Sequence, residues 1–298
     1  MILITGGTGF IGSRVVEKLI QSHEELRILL RPQKQTPRLP KNEKLDIAVC
    51  NIDDERGLRS ALRDVDTIFH FATAEHQKDD SDLECVDIRG TQSLIEVAQE
   101  ANVSQLLFLG RVGSDKSSSF PVLRAKAFAE NAVRNSGINY CILKLTDVFG
   151  KNDHFSSEIA DAIKAAPLLL PYPGGGGKSI VQPLWIEDLL SIIMLVHETK
   201  KYNNEIFEIG GGEYFEFVSL AKKIMQVLQK QKILVQMSPA YLRLINLWFK
   251  SKSGRFPLST RWLDLLAIDR TCTLDSLPRY FSVLPSRFQN HLDYLSGH

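Results

Sequence analysis

A short apolar strand, Ile2-Leu3-Ile4, runs directly into a turn that reads Thr5-Gly6-Gly7-Thr8-Gly9-Phe10-Ile11-Gly12. Two glycine spacings fit this turn, G-x-G-x-x-G from Gly7 and T-G-x-x-G-x-x-G from Thr5. In either spacing one glycine permits a tight turn, another lets the backbone approach a pyrophosphate, and the last lets the next helix lie close to its strand. Because the N-terminus of that helix would face an anion, the turn predicts a dinucleotide site.

The first 150 residues alternate short apolar runs with stretches of helical periodicity. The predicted strands are 2–5, 26–30, 46–50, 67–71, 105–109 and 139–145, and the predicted helices are 10–22, 55–62, 88–101 and 123–136. This alternation implies parallel strands joined by right-handed crossovers, and so a doubly wound α/β sheet.

After residue 150 the periodicity loosens. We predict a glycine loop at 172–178, strands at 179–184 and 205–209, helices from Glu187 and over 216–229, and mostly helical structure over 239–296. We therefore expect a nucleotide-binding domain over 1–150. A smaller, mostly helical C-terminal substrate lobe over 151–298 is expected to interleave with the sheet and not to fold independently.

Composition excludes several classes of protein. The 36 basic and 35 acidic residues leave a net charge of +1, which gives no global electrostatic case for a nucleic-acid partner. The cysteines are widely separated and no histidine completes a zinc pattern, so we expect a reducing compartment and no metal: Cys50, Cys85, Cys141 and Cys272. No signal-peptide pattern and no apolar run of roughly 18–20 residues is present. A soluble, cytoplasmic protein is the expectation.

The end of the second strand bears on the choice of cofactor. A site that prefers NAD usually presents Asp or Glu roughly 20 residues past the last glycine, to bind the ribose 2′-hydroxyl. Here the strand ends in Leu29-Leu30-Arg31-Pro32. A guanidinium at this place pairs well with a 2′-phosphate. We therefore predict NADP(H) as the preferred cofactor, with NAD(H) as the alternative.

Further motifs follow in order and carry a resemblance to a known family. They are Asp66–Thr73 (D-x-x-x-H-x-A-A), Asp87–Thr91 (N-x-x-G-T, with Asp for Asn), Leu143–Gly150 (L-R-P-x-x-V-F-G) and Gln182–Leu189 (V-x-V-x-D-L-A). Over about residues 1–215 the chain resembles the short-chain dehydrogenase/reductase superfamily, in its extended and atypical NAD(P)-binding branches. These include NAD-dependent epimerases and dehydratases and, more loosely, the accessory subunits of respiratory complex I.

The resemblance implies a Rossmann sheet and a set of cofactor contacts. Asn51 and Ile52 would lie beside the adenine, and the segment from Phe71 to Thr73 would line the cofactor through its backbone. Together the motif and the resemblance give these cofactor-binding residues: Gly6, Thr8, Gly9, Phe10, Ile11, Gly12, Arg31, Asn51, Ile52, Phe71, Ala72, Thr73 and Lys126.

The family's catalytic set is incomplete in this sequence. In the family a tyrosine passes a proton, a lysine one helical turn later lowers its pKa and binds the ribose, and a serine or threonine ends the fifth strand. Lys126 matches the lysine, but Val122 occupies the tyrosine position. The serine positions are Gly110 and Arg111. Lys126 is therefore the single candidate catalytic residue that the motif supplies.

Two hypotheses remain open. The first is a protein that holds NADP(H) for stability, sensing or assembly, with little or no turnover. The second is an NADP-dependent reductase, epimerase or dehydratase of a small carbonyl or nucleotide-linked substrate, whose acid/base comes from a loop such as 73–76 or 114–119. His70 lies in an apolar strand, where a packed role is favoured over catalysis, and Cys50 and Cys141 are expected to be core groups.

Residues 239–252 predict a helix with a wide apolar face and a basic stripe of Arg243, Asn246 and Lys250. Such a helix suits a peripheral membrane contact or a partner groove, and equally a place in the core. A third hypothesis, an RNA- or membrane-associated scaffold, rests on this helix and on basic residues that precede it: Lys200, Lys201, Lys222, Lys223, Lys230 and Lys232.

Overall fold

A computed structural model describes residues 1–33, 37, 39–76, 80–173, 179–238, 241–242 and 268–296. Two compact units divide the chain, Met1–Leu145 with Leu190–Phe207, and Thr146–Leu189 with Glu208–His298. The chain passes from one unit to the other three times, so the units are interleaved along the sequence.

The first unit is built on parallel strands with helices between them. In chain order its elements are β1 (Ile2–Thr5), α1 (Phe10–Gln21), β2 (Leu26–Leu30), β3 (Leu45–Val49), α2 (Glu55–Ala61), β4 (Thr67–His70), α3 (Asp80–Leu83), a π-helix (Glu84–Arg89), α4 (Gly90–Glu100), β5 (Gln105–Arg111), α5 (Pro121–Arg134) and β6 (Asn139–Leu145). Most of α7 (Ile186–Glu198), a 3-10 turn (Lys200–Tyr202) and the start of β11 (Glu205–Ile209) return to it later in the chain.

The sheet has seven strands in the order β11-β6-β5-β4-β1-β2-β3. The pairs from β3 through β6 are all parallel. The doubly wound α/β prediction is confirmed, and the predicted bounds of β1, β2 and β6 are those observed. Strand order reverses between β1 and β4, and in such sheets ligands bind beyond the carboxyl ends of the strands at this switch point.

One face of this sheet is closed by α2, α4 and α5. Leu3, Ile68, Leu106 and Ile142 from the central strands pack in one core with apolar residues of these helices, such as Leu94 of α4. Each of these side chains is fully buried. Burying a side chain of this kind contributes about 1.5–3 kcal/mol. The core therefore holds the carboxyl ends of the strands in fixed positions.

The second unit combines α6 (Phe155–Ala165), α8 (Phe217–Val227) and α9 (Ser276–Phe281) with short strand pairs. The pairs are β7 (Val148–Phe149) with β10 (Leu184–Trp185), β8 (Leu169–Pro173) with β13 (Ile233–Met237), and β9 (Ile180–Val181) with β12 (Phe215–Glu216). Its core includes Phe149, Ile159, Leu220, Ile224 and Phe288.

Several predictions for the second unit are met in part. The single strand predicted at 179–184 is two short strands, β9 and β10. Within 268–296, the helical prediction holds for α9 and two 3-10 turns, Phe288–His291 and Asp293–Leu295, and the remaining residues are extended or turns. Ser282 ends α9 in the left-handed conformation at φ 57. Of the predicted glycine loop, residues 174–178 lie outside the described residues.

The amphipathic helix predicted at 239–252 lies almost wholly outside the described residues. Within it, Tyr241 is exposed and Leu242 is fully buried. Among the helices that the structure describes, none combines the length and the apolar character needed to cross a bilayer.

Candidate functional site

The glycine turn between β1 and α1 is tight at two of its glycines. Gly6 has a φ of +71, and a Cβ on it would lie 2.6 Å from the carbonyl carbon of Phe71. A Cβ on Gly12 would lie 2.2 Å from the carbonyl oxygen of Gly6. The Gly9 amide donates to that same oxygen at 3.0 Å. Gly6 and Gly12 therefore have to be glycines for α1 to sit against β1, as in the spacing T-G-x-x-G-x-x-G.

The N-terminus of α1 is arranged to receive an anion. Gly9 is the N-cap residue and has no side chain that could accept a hydrogen bond from the first amides of the helix. The first turn of this 12-residue helix carries no acidic residue. Thr8 and Gly9 are exposed, and Phe10 and Ile11 are half-buried. The first amides of the helix have no partner within it, so they provide donors for a pyrophosphate at the positive end of the helix dipole.

The predicted adenosine-side residues stand at the same edge of the sheet. Arg31 is the first residue after β2 and is exposed. Asn51 follows the end of β3 and is exposed, while Ile52 is half-buried beneath α4. Carboxyl ends of neighbouring parallel strands meet at one edge, so these residues and the glycine turn share it. Their contacts with a cofactor remain predictions.

His70 at the end of β4 links three elements by hydrogen bonds. Its Nδ1 lies 2.7 Å from the Thr5 hydroxyl and its Nε2 lies 2.8 Å from the Thr91 hydroxyl. Thr91 donates its proton to the Asp87 carbonyl oxygen at 2.7 Å, so it accepts from Nε2–H and leaves Nδ1 as an acceptor. Burial, aided by the charge of Lys126, lowers the pKa of His70 to about 3. His70 is therefore neutral and serves to join β1, β4 and α4.

The segment after β4 is held by a buried carboxylate. Asp87 lies in the π-helix and is 1% exposed. One of its oxygens accepts from the Thr73 hydroxyl at 2.8 Å and from the Lys126 ammonium at 3.0 Å. The other accepts from the Ala74 amide at 2.8 Å. Asp87 thus fixes the segment that the resemblance places along the cofactor, and it gives Lys126 a counter-charge.

Lys126 lies on α5, as the sequence predicts, and is 5% exposed. Its ammonium also lies 5.7 Å from the centroid of the Phe108 ring, within the range of a cation–π contact. A buried ammonium without a partner would cost several kcal/mol. The Asp87 carboxylate, 3.0 Å away, offsets part of that cost.

Side chains of a different chemical type occupy the positions of the two missing catalytic groups. Val122 is 4% exposed and packs in an apolar cluster with Ala74, Leu83 and Ala125. Arg111 ends β5 at a serine position, and its Nη1 lies 2.5 Å from a carboxylate oxygen of Glu75. Both side chains of this pair are largely buried. The site therefore contains two buried ion pairs and an apolar cluster where the family places its proton-transfer chemistry.

Sequence reasoning missed the partners of these charges. Glu75, in the segment that follows β4, was one of several loop candidates, and Asp87 was noted as a departure from the family's Asn. A chemical signal was available, because a lysine and an arginine that lie in the interior each require a carboxylate nearby. Cys50 and Cys141 are buried, and burial raises their thiol pKa values to about 11 and about 12, which keeps them protonated at neutral pH. No cluster of metal-ligating side chains occurs in the part of the chain that the structure describes.

The fold and the glycine turn define a Rossmann-type dinucleotide-binding protein. The chain belongs to the NAD(P)H-binding family, whose sequence model matches residues 6–157.

Sequence relatives agree with this assignment. Photosystem II assembly factor Ycf39 from Cyanophora paradoxa is 27% identical over 148 residues, which cover 50% of this chain and 46% of that protein. The mitochondrial NADH dehydrogenase [ubiquinone] 1 alpha subcomplex subunit 9 from Arabidopsis thaliana is 22% identical over 236 residues, 76% of this chain and 58% of that protein. The chain thus spans about half the length of these curated relatives.

A solved structure has the same fold. dTDP-glucose 4,6-dehydratase from Streptomyces venezuelae, with NAD bound, superposes with a TM-score of 0.72 at 21% identity, over 99% of this chain and 95% of that one. The family model and these relatives support the predicted NAD(P)-binding assignment, and the solved structure confirms the Rossmann-type fold.

Proposed function

We propose that this NAD(P)-binding protein holds NADP(H) in a sensing or assembly role and has little or no dehydrogenase turnover. One observation carries the proposal: Val122 fills the tyrosine position with a buried side chain that has no proton to give. A hydride transfer to a carbonyl needs a proton donor at the carbonyl oxygen. Without the tyrosine, the family's usual donor is missing.

The two ion pairs support the same function. In the family the lysine acts on the tyrosine and on the ribose, but here the Lys126 ammonium lies 3.0 Å from Asp87. Arg111 occupies a serine position in contact with Glu75. These pairs hold the segment after β4 and the end of β5 in one conformation, which suits binding of a cofactor more than a proton relay. In this proposal Lys126 also contacts the nicotinamide-side ribose.

The preference for NADP(H) rests on Arg31 and on its place directly after β2. In this proposal its guanidinium pairs with the 2′-phosphate of the adenosine ribose. Protein contacts are part of the proposal because the two relatives are, by their names, an assembly factor and a subunit of a complex. We also propose a cytoplasmic location, peripheral to a membrane.

A second function remains open because of Glu75. This carboxyl is buried at the carboxyl edge of the sheet, the edge at which the cofactor is proposed to bind. In an NADP-dependent reductase, epimerase or dehydratase, Glu75 would be the relocated acid/base. This second function predicts that Glu75→Gln lowers kcat by a larger factor than it weakens NADPH binding.

The proposed function is tested on the purified protein. Any co-purifying nucleotide is identified by mass, and NADPH and NADH are titrated by the fluorescence of the reduced nicotinamide. We expect saturable binding of both, tighter for NADPH. Failure of both nucleotides to bind would refute the proposal, and equal affinity for the two would refute the role of Arg31.

A further inference from the structure

The net charge of the chain is near zero, but its basic and acidic residues are unevenly distributed along the sequence. Residues 162–186 and 217–263 together contain eleven lysines and arginines and no aspartate or glutamate. The rest of the chain therefore holds 25 basic residues and all 35 acidic ones. Both acid-free stretches belong to the second unit.

The fold joins the two acid-free stretches. Strand β8 belongs to the first stretch and β13 to the second, and the two strands pair in parallel with Ile233 opposite Leu169. The Ile233 amide donates to the carbonyl oxygen of Leu168 at 3.0 Å. The ammonium of Lys232 donates to the carbonyl oxygens of Ala166 and Pro167. A basic side chain of the second stretch therefore contacts the backbone of the first.

This two-stranded ribbon is apolar on both faces. On one face Leu170 and Leu234, which are opposite each other, pack into the core of the second unit. On the other face Leu169 and Ile233 are 51% and 55% exposed, and the adjoining Leu168 is 58% exposed. A contiguous apolar surface of this kind marks an interaction site. We call it the β8–β13 surface, formed by Leu168, Leu169 and Ile233.

Basic side chains border the β8–β13 surface. Lys164 lies in the last turn of α6, and Lys230 and Lys232 come just before β13. Lys230 is exposed. Large aliphatic side chains surrounded by lysines match the boundary between the headgroups and acyl chains of an anionic bilayer. An RNA would use the lysines but would leave the leucines and the isoleucine in water.

We propose that the β8–β13 surface binds the face of an anionic phospholipid bilayer, with Leu168, Leu169 and Ile233 inserted at the headgroup boundary and Lys230 near the lipid phosphates. The contact is independent of the cofactor site, which lies in the first unit. Vesicle binding and NADPH binding therefore test two separate claims.

The experiment is co-sedimentation of the full chain with vesicles. One set is pure phosphatidylcholine and the other contains phosphatidylglycerol as well. We expect partition onto the phosphatidylglycerol vesicles, weakened by added salt. The triple variant Leu168→Ser, Leu169→Ser, Ile233→Ser should reduce partition at least about tenfold, because it removes most of the inserted apolar area. Lys230→Gln should reduce it by about fivefold.

A matched control removes exposed apolar area elsewhere. Ile47 and Val49 of β3 are 45% and 62% exposed, with the acidic Asp46, Asp53 and Asp54 exposed around them. The double variant Ile47→Ser, Val49→Ser should bind vesicles like the wild type. NADPH affinity and the thermal midpoint, measured on every variant, should be unchanged by the triple substitution, since the three side chains are on the surface.

Four outcomes would overturn the proposal. They are no binding to phosphatidylglycerol vesicles, equal binding to both kinds of vesicle, undiminished binding by the triple variant, and equal loss in the β3 control. Salt-sensitive binding of single-stranded RNA in place of vesicles would overturn it as well. If the triple variant does not fold, the Lys230→Gln variant decides, because substitution of an exposed lysine leaves the core intact.

Discussion

Replacing Gly12 by alanine should separate α1 from the end of β1. The added Cβ would lie 2.2 Å from the Gly6 carbonyl oxygen and 2.9 Å from the Gly7 Cα, whereas ordinary contacts begin at 3.4 Å. The neighbours are backbone atoms of a turn that is itself fixed against Phe71. The turn or the helix must therefore move by roughly 1.2 Å, the difference between the two distances.

This displacement has two costs that can be measured separately. Overpacking of this size destabilises a protein by about 1–3 kcal/mol, and each kcal/mol lowers the Tm of a chain this large by about 2–4 °C. The same shift moves the first amides of α1 away from the pyrophosphate. The loss of a single charge-assisted hydrogen bond worth about 2 kcal/mol raises the Kd for NADPH by about thirtyfold.

Gly9→Ala is the matched control. A Cβ on Gly9 would lie 3.3 Å from the Gly6 oxygen, and φ at Gly9 is −76, which alanine adopts without strain. We therefore expect its Tm to stay within about two degrees of the wild type. Calorimetry and NADPH titration of both variants check the argument. A Gly12→Ala protein with the Tm and Kd of the wild type would refute it.

Three further predictions concern charges. Asp87→Asn should lower the free energy of unfolding by about 3 kcal/mol in urea denaturation, because it leaves the Lys126 ammonium buried without a counter-charge. Adding Lys126→Met to the same chain should recover part of the loss. A double variant whose loss equals the sum of the two single losses would contradict the pairing. Burial, and secondarily the Asp153 carboxylate, raises the pKa of Glu158 from 4.5 to about 7. Because the unfolded chain releases this proton at a lower pH than the folded protein does, the wild type loses stability as the pH rises from 4.5 to 7. Glu158→Gln should remove that loss, giving a variant more stable than the wild type above pH 7 and equal to it below pH 4.5, and a gain that does not depend on pH would contradict the assignment. Arg31→Ala should weaken NADPH binding by about tenfold and leave NADH binding within about twofold, and parallel losses for both nucleotides would show that Arg31 does not read the 2′-phosphate.

The parts of the fold that were predictable are those that the local sequence determines. Strands β1, β2 and β6 are bounded as predicted because strands buried in a parallel sheet are continuous apolar runs. The glycine turn was also predictable, because the close contacts that require glycine there are mostly between residues of the turn itself. The π-helix at 84–89 was not, since the predicted helix began only at residue 88. In the second unit α8 was predicted within two residues of its observed ends, whereas the strand pairs of a few residues have no periodicity long enough to predict them.

The candidate site was predictable as a place and only in part as chemistry. The motifs located Lys126 and showed that Val122 replaces the tyrosine, because both positions follow from spacing along one helix. The Asp87–Lys126 and Glu75–Arg111 pairs join residues far apart in the sequence. The sequence around each residue does not indicate which carboxylate pairs with which basic side chain. The same holds for the β8–β13 surface, where two acid-free stretches meet only through strand pairing.

The central claim is that this protein binds NADPH and does not turn it over. The most direct measurement is the absorbance of NADPH bound to excess protein while carbonyl compounds and nucleotide sugars are added in turn. Saturable binding with oxidation slower than ~0.1 per second for every compound, which is below the usual range for enzymes, is the predicted result. Oxidation of the bound NADPH at or above that rate by any one of them would contradict the account.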